Sequence, residues 1–306
     1  MPFSDLYSRQ VRLLVRILPY VADEPVFALK GGTAINLFHR DMPRLSVDID
    51  LTYVPVAPRD ESLAEIDIAM KRIAATARRL SPADDVTEQT PPRGQNTVTK
   101  LIARGEGAQV KIEVTPVLRG CVYEPDLRTV SRRVEEEFGF VEINVVSSAD
   151  LFAGKIVAAL DRQHPRDLFD VRDLLAGEGI DDRLRKAFIV YLLSHNRPMH
   201  EVLGATRKDI AHEFQHGFVG LTEQAVSLDD LLEARENMVA QVVRDMPGDH
   251  REFLISFERG EPEWELLGLE NIEKLPAVSW RQQNLNKLDG NVRNALVDNL
   301  KRTLAV

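Results

Sequence analysis

Two aspartates one residue apart, Asp48 and Asp50, constrain this chain more than any other feature. Residues 46–54 read as a strand, closed by Pro55 and Pro58. Along a strand, residues i and i+2 point to the same face. The two carboxylates therefore project together, and Ile49 between them points into a core. Parallel carboxylates repel unless a cation separates them, and a hard divalent cation such as Mg²⁺ on a nucleotide suits oxygen ligands of this kind. Such a pair is either a metal site or two solvated acids on an edge strand, and the pair alone does not decide.

The upstream residues favour the metal. Residues 26–29 form a short apolar strand that runs into Lys30-Gly31-Gly32-Thr33. Thr33 is placed to cap a helix over 33–39, and a glycine-rich turn feeding a helix offers backbone N–H groups to phosphate. Arg44 and Ser46 stand just before the aspartates. Arg44 is positioned for a phosphate oxygen, and Ser46 shares the face of the pair; the plain alternatives are a surface ion pair and a solvated hydroxyl. Lys30 reads as an exposed side chain.

The remaining pattern places this segment in an α+β domain over residues 1–146. Apolar spacing predicts helices over 4–18, stopped by Pro19, and over 62–80. The polar stretch 82–95 reads as a loop. Strands are expected over 97–104 and 109–115, joined around Gly105-Glu106-Gly107 as a hairpin with a slightly long loop, and over 140–146. Glu113 lies on the polar face of its strand with Lys111 and Thr115. It supplies a third carboxylate if its strand neighbours that of Asp48 and Asp50, and is otherwise an ordinary surface acid.

From residue 147 to 306 the pattern is helical, with segments over 149–176 broken at Pro165, and over 183–195, 207–218, 227–246, 248–259 and 281–304. Lys155 sits on an apolar helix, where it either snorkels to the surface or reaches a phosphate. Asp167 and Asp170, beside Arg166, are three residues apart on one helical face. Helix capping and surface ion pairs are the alternative account of all four.

Other classes are narrowed. His212-Glu-Phe-Gln-His216 matches the His-Glu-x-x-His pattern of zinc metalloproteases, but no third ligand follows at a persuasive spacing. The single cysteine, Cys121, excludes an intramolecular disulfide and a thiolate zinc cluster and fits a reducing cytoplasm. No stretch approaches the roughly 18 apolar residues that span a bilayer, and the first ten residues do not read as a signal peptide, so a cytoplasmic protein with no membrane association is expected. A net charge of −9 argues against a generic nucleic-acid coat. A local basic groove would draw on Arg132, Arg133, Arg162, Arg166 and Lys186, each of which also reads as a solvated surface residue.

Lys30-Gly-Gly-Thr-Ala-Ile-Asn-Leu-Phe, followed by Arg44-Leu-Ser-Val-Asp-Ile-Asp50, resembles the first motif of the AbiEii/AbiGii toxin nucleotidyltransferases. These belong to the polymerase-beta-like nucleotidyltransferases, and the mycobacterial MenT toxins are relatives. Gly32-Thr33 stands where Gly-Ser is more typical of the superfamily. Gln109-Val-Lys-Ile-Glu-Val114 is similar to the family's next strand, and 155–170 to its Lys…Arg-Asp-x-x-Asp helices. The likeness spans about residues 25–175.

It implies a polymerase-beta-like mixed sheet, a C-terminal helical domain contributing to the active-site cleft, and transfer of a nucleoside monophosphate from a Mg²⁺-bound NTP with release of pyrophosphate. The implied acceptor is RNA, the 3′ end of a tRNA, and a cognate antitoxin is implied as partner. In that scheme Gly31, Gly32, Thr33, Arg44, Ser46 and Lys155 bind nucleotide, and Asp48, Asp50 and Glu113 bind metal. Asp167 and Asp170 act as structural or catalytic support. The alternatives are a nucleotide-binding or interaction module without turnover, and transfer to a protein or small-molecule hydroxyl.

Overall fold

Burial alternates strictly along residues 108–115, so this stretch can only be a strand with one face in a core. The structure, a computed structural model, describes residues 5–80, 85–90 and 97–305. These divide into two compact units, residues 1–147 with 220–225, and residues 148–219 with 226–306.

The first unit comprises α1 (Asp5–Ala22), β1 (Phe27–Lys30), α2 (Gly31–Ala34), β2 (Asp48–Tyr53), α3 (Arg59–Leu80), β3 (Asp85–Gln89), β4 (Lys100–Gly105), β5 (Ala108–Arg119), β6 (Asp126–Thr129), α4 (Arg132–Phe138) and β7 (Glu142–Val145). A π-helical turn, Ile35–His39, continues α2. The seven strands form one mixed sheet in the order β3-β4-β5-β2-β1-β7-β6. β2 runs parallel to β5 and antiparallel to β1, so the aspartate strand lies at the centre of the sheet. Ile49, Leu51, Val110, Ile112 and Val114 are buried, and α1 and α3 pack on β5 and on each other. Residues 220–225 return to this unit, where Leu45 N–H donates to the Leu221 carbonyl at 2.9 Å.

Several local expectations change. α1 runs through Pro19 to Ala22, because Pro19 is exposed while Ile17, Leu18 and Val21 around it are buried. One lost hydrogen bond is thereby offset by apolar burial. The expected loop over 82–95 contains β3, an edge strand paired to β4 whose single buried side chain is Val86. Ladder hydrogen bonds hold this strand, and they leave no apolar periodicity to read. Residues 82–84 and 91–95 of that loop, and residue 4 of the first helix, lie outside the described residues. The β4–β5 hairpin is tighter than expected. Gly105 pairs with Ala108, and Glu106 (φ 49) and Gly107 (φ 73) both take the positive φ of a two-residue type I′ turn. The short, largely exposed β6 and helix α4 carry little pattern and were not expected.

The second unit is helical: α5 (Ser148–Asp161), α6 (Pro165–Ala176), α7 (Asp182–Leu193), α8 (Met199–Leu203), α9 (Ala211–Gly217), α10 (Leu228–Val239), α11 (Gly248–Arg259), α12 (Pro276–Asn286) and α13 (Gly290–Leu304). Pro165 opens α6, with the His164 ring accepting from Arg166 N–H at 3.1 Å. The stretch 281–304 is two helices, because the Asp289 carboxylate accepts from Asn291 N–H at 2.9 Å and caps a new one. No helix among the described residues is long and apolar enough to cross a membrane.

Candidate active site

The sheet register decides which carboxylates meet. Asp50 of β2 is the direct partner of Glu113 on β5, and Asp48 is the partner of Lys111. On the other side of β2, Asp50 pairs with Lys30 of β1, and Glu113 pairs in turn with Lys100 of β4. One sheet face therefore carries a row Lys30, Asp50, Glu113, Lys100, with Asp48 and Lys111 forming the row beside it. The Lys111 ammonium stands 3.0 Å from Glu113 Oε2 and 3.8 Å from Asp48 Oδ2.

Burial and charge act together here. Burial pushes the Asp50 carboxyl above the usual carboxylate range, against the pull of Lys30 and Lys111. Burial likewise pushes Lys30 below the ordinary lysine value, opposed by Asp50, Cys121 and Glu113. Lys30 is thus no exposed side chain; its ammonium reaches Thr115 Oγ1 at 3.4 Å. For Lys111 burial works against the charge, but the hydrogen bond to Glu113 and the fields of Asp48 and Glu113 outweigh it, and its pKa is raised.

The double glycine fits tightly against this face. Gly31 has φ +76, and a Cβ there would stand 2.6 Å from Asp50 Oδ2. A Cβ on Gly32 would stand 2.6 Å from Ser46 Oγ and 2.8 Å from an Arg44 guanidinium nitrogen. The two glycines therefore let the backbone approach Asp50, Ser46 and Arg44 where any larger residue would collide. Thr33 does not cap α2. Its fully buried hydroxyl donates to the Asp48 carbonyl at 2.5 Å and ties the turn to β2. Arg44 is buried and donates from Nη1 to the Leu45 carbonyl at 2.8 Å, so it is no surface ion pair.

Three residues of this neighbourhood were not singled out from the sequence. The buried Asn36 donates to the Gly32 carbonyl at 2.8 Å and accepts from Arg44 N–H at 3.3 Å, clamping turn and loop together. Its signal was a lone amide inside the apolar run Ala34-Ile-Asn-Leu-Phe38. Tyr7 accepts from Ser46 N–H at 3.1 Å, and burial pushes its phenol up to about 12. Lys111 shares strand parity with Glu113, which was legible, but its place among the carboxylates needed the register.

Lys155, Asp167 and Asp170 meet in the second unit. The Lys155 ammonium lies 2.8 Å from Asp167 Oδ1 and 3.0 Å from Asp170 Oδ2, with side chains 8%, 2% and 1% exposed. Arg162 adds a second cation to Asp167, at 2.5 Å. This is a buried ion cluster rather than a set of surface pairs. Of the basic candidates for a groove, Arg132 pairs with Glu136, Arg133 with Glu137 and Glu223, and Lys186 with Asp182. His212 and His216 stack at 4.3 Å, and the His216 Nδ1 lies 3.0 Å from the His212 carbonyl one turn back.

Among the described residues no three His, Cys, Asp or Glu side chains stand close enough to hold a metal ion as they are. At the histidines no further ligand joins the stacked pair. At the sheet the donor chemistry does fit a hard divalent cation, since three carboxylates share one face in register. There an ammonium, that of Lys111, lies among them.

The family model described as "Nucleotidyl transferase AbiEii toxin, Type IV TA system" matches residues 12–283, well beyond the 25–175 that carry the sequence motifs. Among solved structures, the chain is similar to MenT4, a nucleotidyltransferase toxin from Mycobacterium tuberculosis H37Rv. The identity is 17% and the TM-score 0.55, over 97% of this chain and 92% of that one, a likeness of fold. No curated protein sequence gives a significant match.

Proposed function

The chain belongs to the AbiEii family of type IV nucleotidyltransferase toxins, and from that premise we propose that it transfers a nucleoside monophosphate to RNA, at the 3′ end of a tRNA. The observation that carries this reading is the register pair Asp50–Glu113 with Asp48 two residues away, beside a double glycine whose close approach to Asp50, Ser46 and Arg44 a Cβ would obstruct.

Asp48, Asp50 and Glu113 would hold Mg²⁺. Bound there, the cation offsets charge on the NTP phosphates and on the oxygens of an in-line displacement. Gly31 and Gly32 bring backbone to the triphosphate, Thr33 and Ser46 hold the turn against β2, and Arg44 offers positive charge beside Gly32. The acceptor hydroxyl forms a bond to the α-phosphorus as the bond to the pyrophosphate oxygen breaks. Glu113 takes the hydroxyl proton. In the second unit Asp167 and Asp170 clasp the Lys155 ammonium and offset its charge, a supporting role within that buried cluster. A cognate antitoxin would neutralise the activity.

Incubation with labelled NTP, Mg²⁺ and a whole-cell lysate, resolved into RNA and protein fractions, tests the reading. Label is expected in small RNA, and Asp48→Ala should remove both the label and the growth inhibition. Full activity of Asp48→Ala would sink the proposal; label in the protein fraction would replace the acceptor.

A further inference from the structure

Among the described residues, Lys111 is the one cation in contact with two of the three carboxylates. It sits on β5 two residues before Glu113, directly opposite Asp48, so strand parity and register deliver its ammonium to the space between them. The contact is not a deeply buried pair. Lys111 is 30% exposed, Asp48 49% and Glu113 43%. Ion pairs this open contribute little stability and break readily. Lys30 faces Asp50 from the other side. With Lys100 paired to Glu113 from β4, three ammonium groups thus share this face with three carboxylates, and the face that would attract a divalent cation is already largely neutralised.

Resting on the assignment of Asp48, Asp50 and Glu113 as the metal-binding carboxylates, we infer that Lys111 is a tethered counter-cation that competes with the metal. It holds Asp48 and Glu113 together before substrate arrives and keeps affinity for a free divalent ion low. A triphosphate brings four negative charges of its own and reverses the balance, so metal and nucleotide enter together. Lys111 is then a positioning and selectivity residue whose ammonium leaves the carboxylates as the ion arrives.

The experiment titrates the full-length protein with Mn²⁺ alone, without nucleotide or RNA, by electron paramagnetic resonance. Lys111→Met is expected to bind free Mn²⁺ at least about tenfold more tightly than the wild type, because it removes the competitor and no donor. Lys111→Arg, which keeps the charge, should stay close to the wild type, a split that a merely structural role would not produce. With a non-hydrolysable NTP present, the difference between wild type and Lys111→Met should shrink. Equal Mn²⁺ affinity in wild type and Lys111→Met overturns the inference and leaves the transferase reading standing. Absence of Mn²⁺ binding in every variant, with or without nucleotide, overturns the inference and removes the metal assignment with it. The label-transfer assay on Asp48→Ala judges the transferase reading separately.

Discussion

Gly31 and Asp50 stand so close that a methyl group on the glycine would lie 2.6 Å from Asp50 Oδ2, at a backbone φ of +76. Two independent penalties therefore apply to any replacement. A positive φ strains a residue with a Cβ, and the Cβ collides with a carboxylate of the proposed metal set. Gly31→Ala should cost about 1–3 kcal/mol of stability and lose most nucleotidyl transfer, because relief of the collision displaces Asp50. Urea denaturation and the label-transfer assay check this together. Wild-type activity in Gly31→Ala would show that Asp50 need not hold its present position.

Asn36 ties the glycine turn to the loop before β2, since its amide serves the Gly32 carbonyl and the Arg44 N–H at once. Removing it leaves the buried Arg44 N–H and the half-buried Gly32 carbonyl without that partner. Asn36→Ala should therefore lower stability by about 1–3 kcal/mol and weaken NTP binding, with Gly32 and Arg44 no longer held in one geometry. Thermal denaturation and nucleotide titration provide the readouts. Unchanged melting would mean that water replaces the amide without loss.

The buried cluster of Lys155, Asp167 and Asp170 is sensitive to the loss of its cation. Lys155→Met would leave two carboxylates, 2% and 1% exposed, without their shared ammonium, a change expected to cost about 3–5 kcal/mol. The pH dependence has a definite sign. Burial alone would raise the Asp167 pKa, but Lys155 and Arg162 outweigh it and hold the carboxyl well below the usual range. A depressed folded-state pKa contributes stability that is complete above the unfolded-state value and is lost as pH falls toward the folded one. The stability gap between wild type and Asp167→Asn should thus be full at neutral pH and close only below the ordinary carboxylate range. Denaturation of both proteins across that range measures it; a gap independent of pH would show that charge is not what Asp167 contributes.

Much of the candidate site was legible because its signals are local. Strand parity alone places Asp48 and Asp50 on one face and Glu113 on the polar face of its own strand. Glycines before a helical run mark a turn that a side chain would obstruct. Pro165 marks a helix start from its own ring geometry. β3 was hidden because an edge strand held by ladder hydrogen bonds has no need of an apolar alternation. Asn36 and Tyr7 were hidden because a buried polar group reveals its purpose only through the partner it finds, the folded-back Gly32 and Arg44 for Asn36 and the distant Ser46 for Tyr7.

The sequence by itself determined the α+β character, the acid-x-acid strand, the glycine turn and the membership suggested by the order of its motifs. These depend on residues within a few positions of one another, where backbone geometry is set. Only the tertiary structure decided that Asp50 faces Glu113, that Lys111 falls between Glu113 and Asp48, and that Lys155 is locked by two buried aspartates. Strand order and register bring together residues more than sixty positions apart, and they follow from the collective burial of the sheet's apolar face. No local pattern encodes which strand will lie beside which.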